Sequence, residues 1–191
     1  MAARTAAPAS ADSPAIRNAW IPFSYLAVWA YLLYALGVAT PYLRADLRLT
    51  DFEAGLHASA LAVGVLAAGV SADSVGRRVG PSRLLDLSTG VVVMALGLIA
   101  TAPSLAISLT GALLLGLGGG TLGTEVSVRL AQAGGEGARR MMSQANGLAV
   151  IAAGLAPVAM GLAAAQLHSW RVALFLPIAA LLALAALRPR E

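Results

Sequence analysis

Few side chains in this chain of 191 residues have the type and spacing to do chemistry. Glu53 and His57 stand one helical turn apart. Imidazole is the side chain that changes charge near neutral pH, so an acidic neighbour at this spacing makes the pair a candidate for sensing or relaying protons. The alternative is a capping glutamate and an interfacial histidine. Asp73 is followed by Arg77 and Arg78, with Gly69 four residues before it and Gly76 three after. A carboxylate at the C-terminal end of a helix meets the negative end of the dipole and needs a partner. Arg77, Arg78 or the N-terminus of another helix could serve. Asp86 has Arg83 three residues before it, and Glu125 has Arg129 four residues after it; both read as ion pairs near the ends of helices.

The uncharged candidates are aromatic and amide groups. Tyr25, Trp29 and Tyr34 fall within one apolar run, and Tyr25 and Trp29 share a helical face from which they could line a cavity. Gln144 and Asn146 are the polar residues of a later run. The chain has no cysteine, which excludes disulfides, cysteine-ligated zinc and thiol catalysis. No acidic pair, metal-ligand cluster or nucleophile-base arrangement is in view, so no metal, cofactor or enzymatic reaction is expected. An intramembrane protease is the enzyme to weigh. It needs a serine among glycines in one span and a histidine in another, whereas the glycine cluster here carries Thr121 and Thr124, and His57 and His168 lie at span ends.

The elements that must position these residues are set by composition. Apolar residues make up 59% of the chain and charged residues 12%, with a mean hydropathy of +0.79. A soluble domain carries about 25% charged residues, so this chain has too few polar groups to cover a surface facing water. The surface faces a lipid bilayer. The apolar runs predict an all-α fold of six transmembrane helices at 20–43, 52–72, 81–100, 105–124, 141–167 and 171–187. The first run is too long for a signal peptide's apolar core and reads as an uncleaved span. Residues 1–19 read as a disordered cytoplasmic segment, and 188–191 as a cytoplasmic tail. Pro41 predicts the end of the first helix, Thr50 with Glu53 a capping box opening the second, and Pro81 the first turn of the third. Gly134-Gly135-Glu136-Gly137 predicts a turn.

Arginine placement sets the orientation. With both termini in the cytoplasm, the inner positions hold Arg4, Arg17, Arg77, Arg78, Arg83, Arg129, Arg139, Arg140, Arg188 and Arg190, against Arg44, Arg48 and Arg171 outside. The net charge of +4 follows from this positive-inside bias and does not point to nucleic acid.

The stretch Gly69-Val70-Ser71-Ala72-Asp73-Ser74-Val75-Gly76-Arg77-Arg78, between the second and third spans, resembles the signature loop of the major facilitator superfamily. That pattern is Gly, three residues, Asp, two residues, Gly and two basic residues; Ser74 and Ser71 depart from the usual basic residue and leucine. Trp170-Arg171 opening the sixth span, Arg139-Arg140 before the fifth, and Gly154-Leu155-Ala156-Pro157 with Gly161 within it are also similar to the family's sequences. In the fourth span Ala112 stands where the family usually carries arginine.

The resemblance implies the N-terminal six-helix half of a secondary transporter in the plasma membrane, built as a 3+3 inverted repeat. Such a protein moves a small solute by alternating access, with proton coupling expected here. It implies that Gly69, Asp73, Gly76, Arg77 and Arg78 form a conformational gating loop, and that the first and fourth spans line the path. A second half, as another copy or a separate chain, would complete the cavity. The alternative is a six-helix membrane subunit, or a half without transport activity alone. Independently of the resemblance, Gly116 with Gly120 and Gly119 with Gly123 in the fourth span, and Gly147, Gly154 and Gly161 around Pro157 in the fifth, predict close helix packing, because lipid supplies no hydrophobic drive between helices.

Overall fold

The computed structural model of the chain describes residues 20–134 and 137–188. The expected N-terminal segment 1–19, the centre of the glycine turn at 134–137 and the tail beyond Arg188 lie outside them. Within the described residues the chain is all-α: α1 (Trp20–Leu47), α2 (Asp51–Val79), α3 (Pro81–Thr101), α4 (Leu105–Gly134), α5 (Ala138–Leu167), a 3₁₀ turn (Trp170–Leu174) and α6 (Phe175–Leu187). The 3₁₀ turn and α6 together make the sixth of six segments long and apolar enough to cross a membrane. Large apolar side chains such as Phe52, Leu66, Val70, Val150 and Ile151 are exposed, a surface that belongs in hydrocarbon. The chain is a multi-pass membrane protein.

Several helices outrun their apolar segments. α1 continues through Pro41 to Leu47, so the proline does not end it. A proline removes one intrahelical donor, and the turns beyond it are anchored elsewhere. Tyr42 stacks on Trp170 with ring centroids 5.9 Å apart, and Asp46 accepts from Trp170 Nε1 at 3.0 Å and pairs with Arg171 at 2.9 Å. α2 runs to Val79 and α4 to Gly134, each carrying an i,i+4 ion pair beyond its apolar run, Asp73–Arg77 and Glu125–Arg129.

The connections follow from residue type. At Thr50 the capping box forms: its hydroxyl accepts from the Glu53 amide at 3.2 Å, while the Glu53 carboxylate accepts from the Thr50 amide at 2.8 Å. Gly80 joins α2 to α3 at φ 85°, a conformation open to glycine, and Pro81 opens α3.

Packing departs from chain order. α2 packs chiefly on α4 and α5 chiefly on α1, so each set of three helices hands its middle helix to the other set. α4 sits at the centre, and its glycines sort onto three neighbours. A Cβ at Gly116 would lie 2.1 Å from the Leu61 carbonyl oxygen of α2, one at Gly111 2.7 Å from Ile99 Cγ1 of α3, and one at Gly119 1.9 Å from Trp29 Cζ3 of α1. Leu32, Leu43, Leu96, Ile99, Leu115, Leu122 and Leu181 fill the space between.

The glycines of α5 behave otherwise. A Cβ at Gly147, Gly154 or Gly161 would meet nothing within 4 Å, and Pro157 is exposed. These residues do not pack helices within the chain, because α5 turns its Ala145, Ala149, Ala153 and Ala156 face inward instead.

Candidate functional site

A cleft of about 570 Å³ is bounded by α1, α2 and α4. Its walls come from Leu26 and Trp29 of α1, Val65 of α2, and Gly120, Gly123, Thr124, Ser127, Val128 and Ala131 of α4. Trp29 is seated by sequence: its indole runs along α4 from Gly119 to Gly123, where a Cβ would lie 1.9 Å and 2.9 Å from ring atoms. Only glycine at both positions lets an indole lie this close to the helix. Gly120 of α4 meets Ala68 of α2, and one turn further on the two helices wall another space. This second cavity, of about 450 Å³, opens between the ends of α2 and α4 and the start of α3. Thr124 and Val128 line both spaces, so the two adjoin across one face of α4.

The second cavity is lined by the loop residues singled out in the sequence. Asp73, Gly76 and Arg77 face it, with Pro81, Leu84 and Glu125. Asp73 and Arg77 pair with each other and are both largely exposed. Asp73 lies inside α2, one and a half turns before its end, because the helix continues to Val79. Its position at the helix terminus is therefore corrected, although the partner expected for it is present. Gly69 is open on its outer side, a Cβ at Gly76 would approach Leu84 at 3.2 Å, and Arg78 is exposed. Glu125 pairs with Arg129 at 3.0 Å; the pair is mostly buried rather than solvated.

Of the aromatic candidates, Trp29 alone borders the cleft. Tyr25 is fully buried one turn away, its hydroxyl against Thr89 without a well-formed hydrogen bond, and Tyr34 is exposed outside the cleft. Tyr25 and Trp29 share a helical face but meet different neighbours, Tyr25 lying by Thr89 of α3 and Trp29 on the glycines of α4. Gln144 and Asn146 are exposed on α5, away from the walls just described.

Glu53 and His57 do not meet. The carboxylate is held in the capping box, while the His57 ring turns into the α2–α4 contact and is fully buried. Nδ1 stands 3.0 Å from the Ala54 carbonyl oxygen and Nε2 2.9 Å from Ser108 Oγ, which stands 2.9 Å from the Leu105 carbonyl oxygen. A carbonyl only accepts, so Nδ1 carries a proton. In that tautomer Nε2 accepts, and it shares the single hydroxyl hydrogen of Ser108 with the Leu105 carbonyl. Ser108 was not legible as a partner, being an ordinary polar residue in the first turn of α4.

Asp86 pairs with Arg188, the residue just past α6, at 2.8 Å and not with Arg83; Arg188 also donates to the Ser82 carbonyl at 3.2 Å. The guanidinium comes from a distant segment, which near-neighbour spacing cannot reveal. At the opposite end of the bundle Asp46, Trp170 and Arg171 form a clasp between α1 and the 3₁₀ turn, with the Arg171 guanidinium 5.0 Å from the Trp170 ring centroid. Among the described residues no three His, Asp or Glu side chains gather as metal ligands would. No protein-family model matches the chain, and comparison with curated proteins finds no match.

Proposed function

We propose that this chain is one half of a secondary transporter of the major facilitator type, moving a small solute across the plasma membrane by alternating access. The observation that carries the reading is the cleft at Trp29, walled by α1 and α4 and adjoining a second cavity lined by the Asp73–Arg77 pair. The exchange of α2 and α5 between the two sets of three helices supports a 3+3 inverted repeat. Both termini and the arginine-rich end face the cytoplasm. The exposed Asp73–Arg77 pair then sits at the inner rim, where a second half can engage and release it as the cavity closes and opens. A second copy or a separate chain supplies that half against the exposed faces of α2 and α5.

Proton coupling is assigned to His57, since Glu53 is spent on its cap. The His57–Ser108 contact has the spacing of a nucleophile and base, yet both side chains are fully buried and neither lines the cleft. Transport, not hydrolysis, is the activity proposed. The test is flux of a solute panel in proteoliposomes, with and without an imposed pH gradient. Wild-type protein carries at least one solute, and Asp73→Asn with Arg77→Gln inserts normally but carries none. Unchanged flux in that double variant would refute the gating role; absence of any flux in wild type, alone and with a supplied partner half, would favour a membrane subunit without transport activity.

A further inference from the structure

We infer that the solute carried through this cleft is uncharged where it lies against α1 and α4: a small amphipathic molecule with an apolar or aromatic body and a hydroxyl or amide donor. The inference rests on the transport reading and narrows its substrate class. Among the described residues no ionisable side chain lines the cleft. Glu125, which follows Thr124 in sequence, is paired with Arg129 at 3.0 Å and faces the second cavity. A formal charge placed against this wall would lose water and find no countercharge, a loss that an apolar wall does not offset.

Besides the indole N–H of Trp29, the polar side-chain groups that face the cleft are two hydroxyls. Thr124 donates its hydroxyl hydrogen to the Gly120 carbonyl at 2.9 Å, and Ser127 donates to the Gly123 carbonyl at 2.7 Å. Their hydrogens are committed to their own helix, so each oxygen turns lone pairs, and no donor, to the cleft. A solute donor is the group that matches them. Trp29 adds an aromatic surface, and Leu26 and Val65 an apolar floor. The volume, about 570 Å³, suits a compound of a few rings at most.

Three probes of matched size separate the possibilities: naphthol, naphthalenesulfonate and naphthylmethylammonium, measured by equilibrium binding to the chain in lipid nanodiscs. Thr124→Val with Ser127→Ala removes the acceptors at nearly constant shape, and Val128→Phe fills the cleft from an exposed position. Naphthol should bind saturably. It should lose about three- to tenfold in affinity with the first variant and all saturable binding with the second, while both ions bind at least about tenfold more weakly than naphthol. An ion bound as tightly as naphthol and displaced by Val128→Phe overturns the inference, as does saturable binding of none of the three. Vesicle flux keeps the two readings apart: naphthol bound in the cleft but never carried defeats transport and leaves the site, whereas an ion carried and blocked by Val128→Phe defeats the neutral class and leaves transport.

Discussion

Gly64 of α2 and Gly116 of α4 meet backbone to backbone: a Cβ on Gly64 would lie 2.2 Å from the Leu113 carbonyl oxygen, and one on Gly116 2.1 Å from that of Leu61. The two helices run parallel through this contact, since Gly120 meets Ala68 one turn further on and His57 meets Ser108 two turns before. Small residues at four-residue spacing on both partners permit such an approach, and dispersion and dipolar contacts then replace the absent hydrophobic drive.

Adding one methyl at Gly116 should therefore cost more than its size suggests, because the obstacle is backbone and cannot rotate aside. Gly116→Ala should lower stability by about 1–3 kcal/mol, read as a fall in Tm in detergent micelles. Gly154→Ala on α5 is the matched control. It adds the same methyl where nothing lies within 4 Å, and should leave Tm unchanged or raise it, since alanine favours a helix over glycine by up to about 1 kcal/mol. Equal losses at the two sites would mean that the glycine face of α5 packs within the chain after all.

The contrast marks how far the sequence could be read. Apolar runs longer than a bilayer is thick located all six helices, because the need to satisfy every backbone group in hydrocarbon leaves helix as the available form. Thr50, Glu53 and Pro81 marked connections through local chemistry alone. The glycines of α4 and α5 look alike in sequence, yet one set is sealed and the other open, because the neighbours that decide this lie far along the chain. The same holds in the candidate site. Trp29 was legible as a wall residue, whereas Thr124 and Ser127 acquire their place only once α4 is rotated against α1 and α2.

His57 and Ser108 should be coupled in stability. Removing either leaves a buried polar group short of a partner. His57→Phe and Ser108→Ala are each expected to cost about 1–3 kcal/mol. The double variant should cost less than their sum by about 0.5–2 kcal/mol in a double-mutant cycle of thermal unfolding. Strict additivity would show that the 2.9 Å contact carries no energy.

Arg188 should matter where Arg83 does not. The Arg188 side chain is buried to within 7% of full cover and pairs with Asp86, whose side chain is 56% exposed. Screening at the Asp86 end reduces what a buried pair would contribute, so Arg188→Met is expected to cost about 1–2 kcal/mol. Arg83 is exposed and makes no ion pair among the described residues, and Arg83→Ala should stay within about 0.5 kcal/mol of wild type. Thermal unfolding of the two variants side by side decides between Arg188 and Arg83 as the partner of Asp86.

The orientation can be read with single cysteines, since the chain contains none of its own. Ser74 and Ala45 are both exposed and lie at opposite ends of the bundle, Ser74 beside Arg77 and Arg78 and Ala45 between Arg44 and Asp46. Arginines flanking short connections are retained on the cytoplasmic side because moving them outward works against the membrane potential, at about 2.3 kcal/mol per charge for each 100 mV. The arginines at the Ser74 end outnumber those at the Ala45 end, so that force favours keeping the Asp73–Arg77 pair inside. In intact cells, a membrane-impermeant maleimide should label Ala45→Cys and spare Ser74→Cys until the membrane is opened. Labelling of Ser74→Cys from outside would put the Asp73–Arg77 pair at the outer rim, and a gate acting on the cytoplasmic face could not be built from it.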